Sequence, residues 1–127
     1  MEWRPIAEDR IWELMNSART RMNPLERRFW DAIRIDPEKW TQHPYGDIGG
    51  GFWAVALLGR RVVWFNDIEN GFNWSNYRDY GSIPEEEYRC NQDRLESTIR
   101  ELMNIVTTGY GIGGRAGPPI PGEFPAL

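Results

Sequence analysis

The segments Phe52–Leu58 (FWAVALL) and Arg61–Asn66 (RVVWFN) stand on either side of Gly59-Arg60. Two short β-prone runs around a Gly-X pair are the sequence signature of a hairpin with a tight turn. That turn sets a register in which Leu58 faces Arg61, Ala56 faces Val63 and Ala54 faces Phe65. Side chains alternate between the faces of a strand. One face then carries Phe52, Ala54, Ala56, Val63 and Phe65, and the other Trp53, Val55, Leu57, Val62 and Trp64. Neither face is polar, so the hairpin belongs at the centre of a sheet, covered on both sides. The alanines leave room for a helix to come close. The Trp53/Trp64 face needs a different cover: the 41–51 loop, the C-terminal tail, or a second copy in a homodimer.

Helical periodicity supplies the first cover. Over residues 7–22, Ile11, Met15, Ala18 and Met22 fall on one stripe with Leu14 beside it. Asn23-Pro24 with Glu26 then has the spacing of a capping box with proline at the first helical position. This starts a second helix over 24–34 that turns Leu25, Phe29 and Ile33 inward, with Trp30 or Ala32 at the margin. Asp36-Pro37 repeats the cap-and-proline pattern and predicts a short helical turn reaching Trp40. His43-Pro44, Asp47 and Gly49-Gly50-Gly51 form a loose entry to the hairpin.

After the hairpin, Phe72–Arg78 alternates as a third strand, with Phe72 and Trp74 inward and Asn73, Ser75 and Tyr77 outward. Glu86–Cys90 is a candidate fourth strand. Asn91 then caps a final helix over 92–105 whose inward stripe is Leu95, Ile99, Leu102, Met103 and Val106. The expectation is an α+β domain over residues 1–106. An antiparallel sheet of three to four strands is built on the central hairpin 52–58/61–66 and packed by two N-terminal helices and one C-terminal helix. Residues 107–127, rich in Gly and Pro, form an irregular tail.

Composition narrows the function classes. A chain of 127 residues is long enough to bury a core without metal or disulfide support. Seven scattered tryptophans point to large aromatic anchors within it. The single cysteine, Cys90, excludes an internal disulfide and the multi-cysteine zinc patterns. Preceded by Arg89, it is read as a small buried apolar residue rather than a reactive thiol. The charged N-terminus lacks the apolar stretch of an export signal, no run is long enough to span a bilayer, and the expected location is cytoplasmic.

Net charge is −4, and it is localised: residues 66–101 hold nine acidic side chains against four arginines. Such a segment repels a phosphate backbone, which argues against nucleic acid as a partner. No motif for catalysis emerges. His43 is the lone histidine, with Asp47 four residues on, and is read as a loop residue. Asn66–Gly71 fails as a calcium loop, because Ile68 and Tyr77 stand where oxygen ligands are required. No catalytic residue, metal ligand or cofactor is assigned.

What remains is an acidic and aromatic segment: Asp67, Glu69, Asn70, Trp74, Tyr77, Asp79, Tyr80, Glu85 and Glu86. Tyr and Trp concentrate binding energy at protein interfaces, and local charge speeds encounter with an opposite charge. The leading expectation is a small acidic, non-enzymatic protein-binding protein whose partner is basic, as in an immunity protein that masks a basic toxin. Two readings stand beside it. One is an enzyme or ligand-binding protein with a polar pocket formed by His43, Asp47, Asp67 and Glu69. The other is a homodimer packed through the Trp53/Trp64 face.

Overall fold

The computed structural model describes residues 3–109. In chain order these form α1 (Glu8–Thr20), α2 (Pro24–Ile33), β1 (Arg34–Trp40), β2 (Phe52–Leu58), β3 (Arg61–Asn66), β4 (Gly71–Asn76), a 3₁₀ turn at Glu85–Glu87 and α3 (Leu95–Thr108). The strands pair in the order β1-β2-β3-β4, all antiparallel, and the three helices pack on one face. This is the expected α+β arrangement, with the hairpin central and the helices two before it and one after.

Helix α1 buries Ile11, Met15 and Ala18, as its periodicity requires. Helix α2 starts with the full capping box: Asn23 Oδ1 accepts from the Glu26 N–H at 2.8 Å, and Glu26 Oε1 accepts from the Asn23 N–H at 2.9 Å. Its inward face differs from the expected one. Glu26, Trp30 and Ile33 are buried, Phe29 is half-buried, and Leu25 is 65% exposed. The physical reason is an ion pair. Glu26 Oε2 accepts from Arg100 Nε of α3 at 2.7 Å, which keeps the start of α2 turned toward α3 and brings Trp30 into the core. Two further pairs join the helices: Arg21 to Glu96, and a two-bond fork from Arg19 to Asp31 at 2.9 and 2.7 Å. Helix α3 starts at Leu95, later than expected, and buries Leu95, Ile99 and Leu102, while Val106 is exposed. It runs on through Thr108 to a left-handed Gly109 cap, so Thr107 and Thr108, expected in the tail, are helical; the rest of the expected tail, residues 110–127, lies outside the described residues.

The sheet departs from the expected one in three places. Residues 34–40 are the first strand, not the end of a helix and a further turn: Lys39 pairs with Trp53 and Trp40 with Phe52. Pro37 sits where the β1–β2 register shifts, at an edge strand, the position where a missing N–H is tolerated. Second, β2 is bulged at Val55. The expected pairs Leu58–Arg61 and Ala56–Val63 hold, but Ala54 faces Trp64 and Trp53 faces Phe65. A bulge inserts one residue and reverses the facing of everything beyond it. Trp53, Val55, Ala56, Val63 and Phe65 therefore meet the helices, whereas Phe52, Ala54, Leu57, Val62 and Trp64 point to the underside. Third, Glu86–Cys90 is not a strand, and the fourth strand is β1.

Glu26 makes the helix layer sensitive to acid. The Arg100 guanidinium, and then the Asn23 N–H, hold its carboxyl below the usual 4.5. A depressed carboxyl contributes stability that is present above that ordinary value and is lost as pH falls through the lower folded value. Glu26→Gln keeps an acceptor for Asn23 but removes the charge. Because Arg100 is partly exposed, the expected loss at about pH 7 is only about 1 kcal/mol. Urea unfolding should show that difference shrinking toward zero at about pH 2.5.

Candidate functional site

The underside of the sheet is lined by Trp40, Phe52, Ala54, Val62 and Trp64, which no helix covers. Its cover is the chain after β4. Thr41 N donates to Gly81 O and Ile83 N to Thr41 O, both at 2.8 Å, which pins this segment to the end of β1 and buries Ile83. The segment then returns along β4. Ser75 Oγ donates to Glu87 O at 2.6 Å, and Asn66 Nδ2 donates to Tyr88 Oη and to Arg89 O, both at 2.9 Å. Asn73 exchanges bonds with the Asn91 backbone, and Phe72 N donates to Asp93 O. Asn73 and Ser75, expected to point outward to solvent, are buried because they bond this cover. Gly71 is required here: a Cβ would lie 2.3 Å from Asn91 O.

The expected binding residues do not share one surface. Asp67, Glu69 and Asn70 occupy the β3–β4 turn. Tyr77 follows the opposite end of β4, and the chain then crosses the underside, so that Tyr80 meets Glu38 and Gly81 meets Thr41 at the end of β1, while Glu86 returns to Arg78. Trp74 belongs to neither group. It is buried in the helix-side core, 7% exposed, with the Arg61 guanidinium 5.7 Å from its ring.

Around Trp40 of β1 the side chains form one ordered group. Trp40 packs edge-on against Tyr77 and tilted against Tyr80, with ring centroids 4.9 Å apart in each case. The Tyr77 hydroxyl donates to Gly59 O at 2.9 Å. Glu38 Oε1 accepts from the Trp40 indole at 2.9 Å and from the Tyr80 hydroxyl, a contact that raises the Tyr80 pKa. Tyr80 is thus fixed at both faces of its attachment and yet 63% exposed. Arg78 neutralises Glu86 at 2.5 Å, leaving Asp79 and Glu85 as exposed carboxylates nearby. Glu38 and Trp40 escaped sequence reasoning because β1 was read as helix; alternation over Glu38-Lys39-Trp40 was the available signal.

The 41–51 loop and the β3–β4 turn are built differently. The His43 imidazole Nδ1 lies 2.6 Å from Asp47 Oδ2, and both side chains are exposed. Asp67 instead fastens the N-terminal segment: its Oδ2 accepts from Ile6 N at 2.9 Å and its backbone carbonyl from the Trp3 indole at 3.0 Å. Lys39 donates to Gly49 O and Gly51 O at 3.0 and 3.3 Å, its ammonium 5.0 Å from the Trp53 ring centre. The depression of about 180 Å³ in the 41–51 loop is bordered by Asp47 but not by His43, Asp67 or Glu69. Of the proposed polar pocket, only the His43–Asp47 contact forms within one site. Among the described residues no group of three or more His, Cys, Asp or Glu is placed to hold a metal ion, and no helix is long and apolar enough to cross a membrane.

The Trp53/Trp64 face is not one face. The Val55 bulge sends Trp53 to the helix side, donating to Ile6 O at 2.9 Å, and Trp64 to the underside, fully buried and bonded to Ser75 Oγ. Cys90, expected to be buried, is exposed. Beside it the Tyr88 hydroxyl is pushed up to about 12, chiefly by burial. Tyr45, also missed from sequence, stacks on Tyr88 at 4.2 Å.

No family model, curated protein or solved structure matches this chain.

Burial pushes the Asp67 carboxyl up from its ordinary 3.8, against the opposing effects of the Ile6 N–H and Lys39. A raised carboxyl carries no penalty below its unfolded value and an increasing one as pH rises through the folded value. Asp67→Asn keeps an acceptor for Ile6 without the charge. Its melting temperature at about pH 7 is expected to equal or exceed the parent's, the two converging at about pH 3. A lower value at neutral pH would mean that attraction to Lys39 outweighs the burial cost.

Proposed function

We propose that this chain is a small acidic binding protein that docks a basic protein partner at the Tyr80 end of the sheet's underside. The observation that carries this reading is Tyr80 itself, an exposed aromatic ring already held by Trp40 and Glu38. An aromatic anchor ordered before binding loses little conformational entropy when a partner closes over it. Asp79 and Glu85 place negative charge around that anchor, which favours encounter with a basic surface and disfavours an acidic one. An immunity-type inhibitor that masks a basic toxin is the role in this class that the charge and size suit. Asp67, Glu69 and Asn70 lie outside this surface, in the β3–β4 turn.

The test is titration calorimetry of the chain against basic proteins encoded beside its gene. Tyr80→Ala combined with Asp79→Lys and Glu85→Lys should weaken binding by at least about thirtyfold, the effect of losing a central anchor. Glu69→Lys should change it by less than about twofold at physiological salt. Equal affinity of the triple variant and the parent would overturn the proposed surface.

A further inference from the structure

We propose that Tyr80 and Glu38 together form a subsite for one arginine side chain of the partner, and that Glu38 sets a preference for arginine over lysine. This inference rests on the Tyr80 surface proposed above and names the side chain that the surface holds. Trp40 is buried and only supports the subsite from beneath. The surface itself is the Tyr80 ring, which meets Trp40 on one side at 4.9 Å between centroids and is 63% exposed.

Glu38 closes the hydroxyl edge of that ring. Its Oε1 accepts from the Trp40 indole at 2.9 Å and also from the Tyr80 hydroxyl, so both donors load one oxygen. Among the described residues Oε2 has no hydrogen-bond partner and yet is not buried, so it reaches solvent. No cation among the described residues pairs with Glu38. Arg78 pairs with Glu86 at 2.5 Å, Arg60 donates to Arg78 O at 2.9 Å, and Lys39 donates to Gly49 O and Gly51 O. Asp79, exposed beside Tyr80, adds a second carboxylate that Arg78 partly offsets.

An open aromatic face with an unpaired carboxylate oxygen at its edge complements a flat cation that donates from its rim. A guanidinium stacks on a ring and still directs N–H groups outward in its own plane. An ammonium is compact and strongly hydrated, so it loses more hydration for the same ring contact. Because a single Glu38 oxygen is open, the expected contact is one charge-assisted bond rather than a fork.

The experiment is an NMR titration of the full chain with hexa-arginine and, separately, with hexalysine. The Trp40 indole N–H donates to Glu38 and so reports on the subsite. Hexa-arginine should shift it saturably, with an affinity at least about fivefold above that of hexalysine. Glu38→Gln keeps an acceptor for Trp40 but removes the charge, and should bring the two affinities to within about twofold of each other. Glu13→Gln removes an equal charge from the exposed face of α1 and should leave the preference unaltered. Equal saturable binding of the two peptides, or an undiminished preference in Glu38→Gln, would overturn the arginine subsite while leaving the acidic docking surface in place. No shift at Trp40 with either peptide would overturn both.

Discussion

The β2–β3 hairpin is apolar on both faces, and no single layer can cover it. The helices bury Val55, Ala56, Val63 and Phe65 on one side; the chain from Tyr77 to Tyr88 buries Trp40, Phe52, Val62 and Trp64 on the other. The two covers rest on different physics. The helix layer is hydrophobic contact reinforced by three ion pairs between helices. The underside cover has no regular structure beyond one 3₁₀ turn and is held by directed hydrogen bonds. Those bonds come from polar residues placed inside the sheet. Asn66, Asn73 and Ser75 would be costly to bury alone, but each meets a backbone group of the cover.

This cover also creates the surface to which we assign function. By crossing beneath Trp40 to reach Thr41, the segment carries Tyr77 and Tyr80 onto the Trp40 ring. Glu38, on the same edge strand, closes the group by accepting from both Trp40 and Tyr80. A ring on a loop would ordinarily be mobile; here the loop's own attachment to β1 orders it. The proposed binding surface and the underside cover thus share the same residues, and Trp40 cannot be altered for one without affecting the other.

Charge is distributed by a related logic. On the helix side the ion pairs join one helix to another: Arg19 to Asp31, Arg21 to Glu96 and Arg100 to Glu26. On the underside the acidic groups are partly used: Glu38 and Glu86 have partners, whereas Asp79 and Glu85 face solvent.

Several features were legible without coordinates because their causes are local. The stripe Ile11, Met15, Ala18, the Asn23–Glu26 capping box and the tight turn at Gly59-Arg60 each depend on residues within a few positions of one another. The α+β class follows from those elements. Of the expected binding residues, Tyr77 and Tyr80, close neighbours in the chain, do meet on one ring, that of Trp40. What tertiary structure alone decided depends on distant partners. Strand β1 forms because β2 offers it a backbone edge, overriding a helical signal at Asp36-Pro37. The Val55 bulge parts Trp53 from Trp64, and Glu26 turns α2 through a residue 74 positions away. Trp74 left the expected surface because β4 turns it into the helix-side core, and Asp67 was parted from Tyr80 because the chain after β4 crosses the underside to β1. Periodicity records which face of an element is apolar, but the pairing energy that chooses its neighbour is spread over residues far apart in sequence.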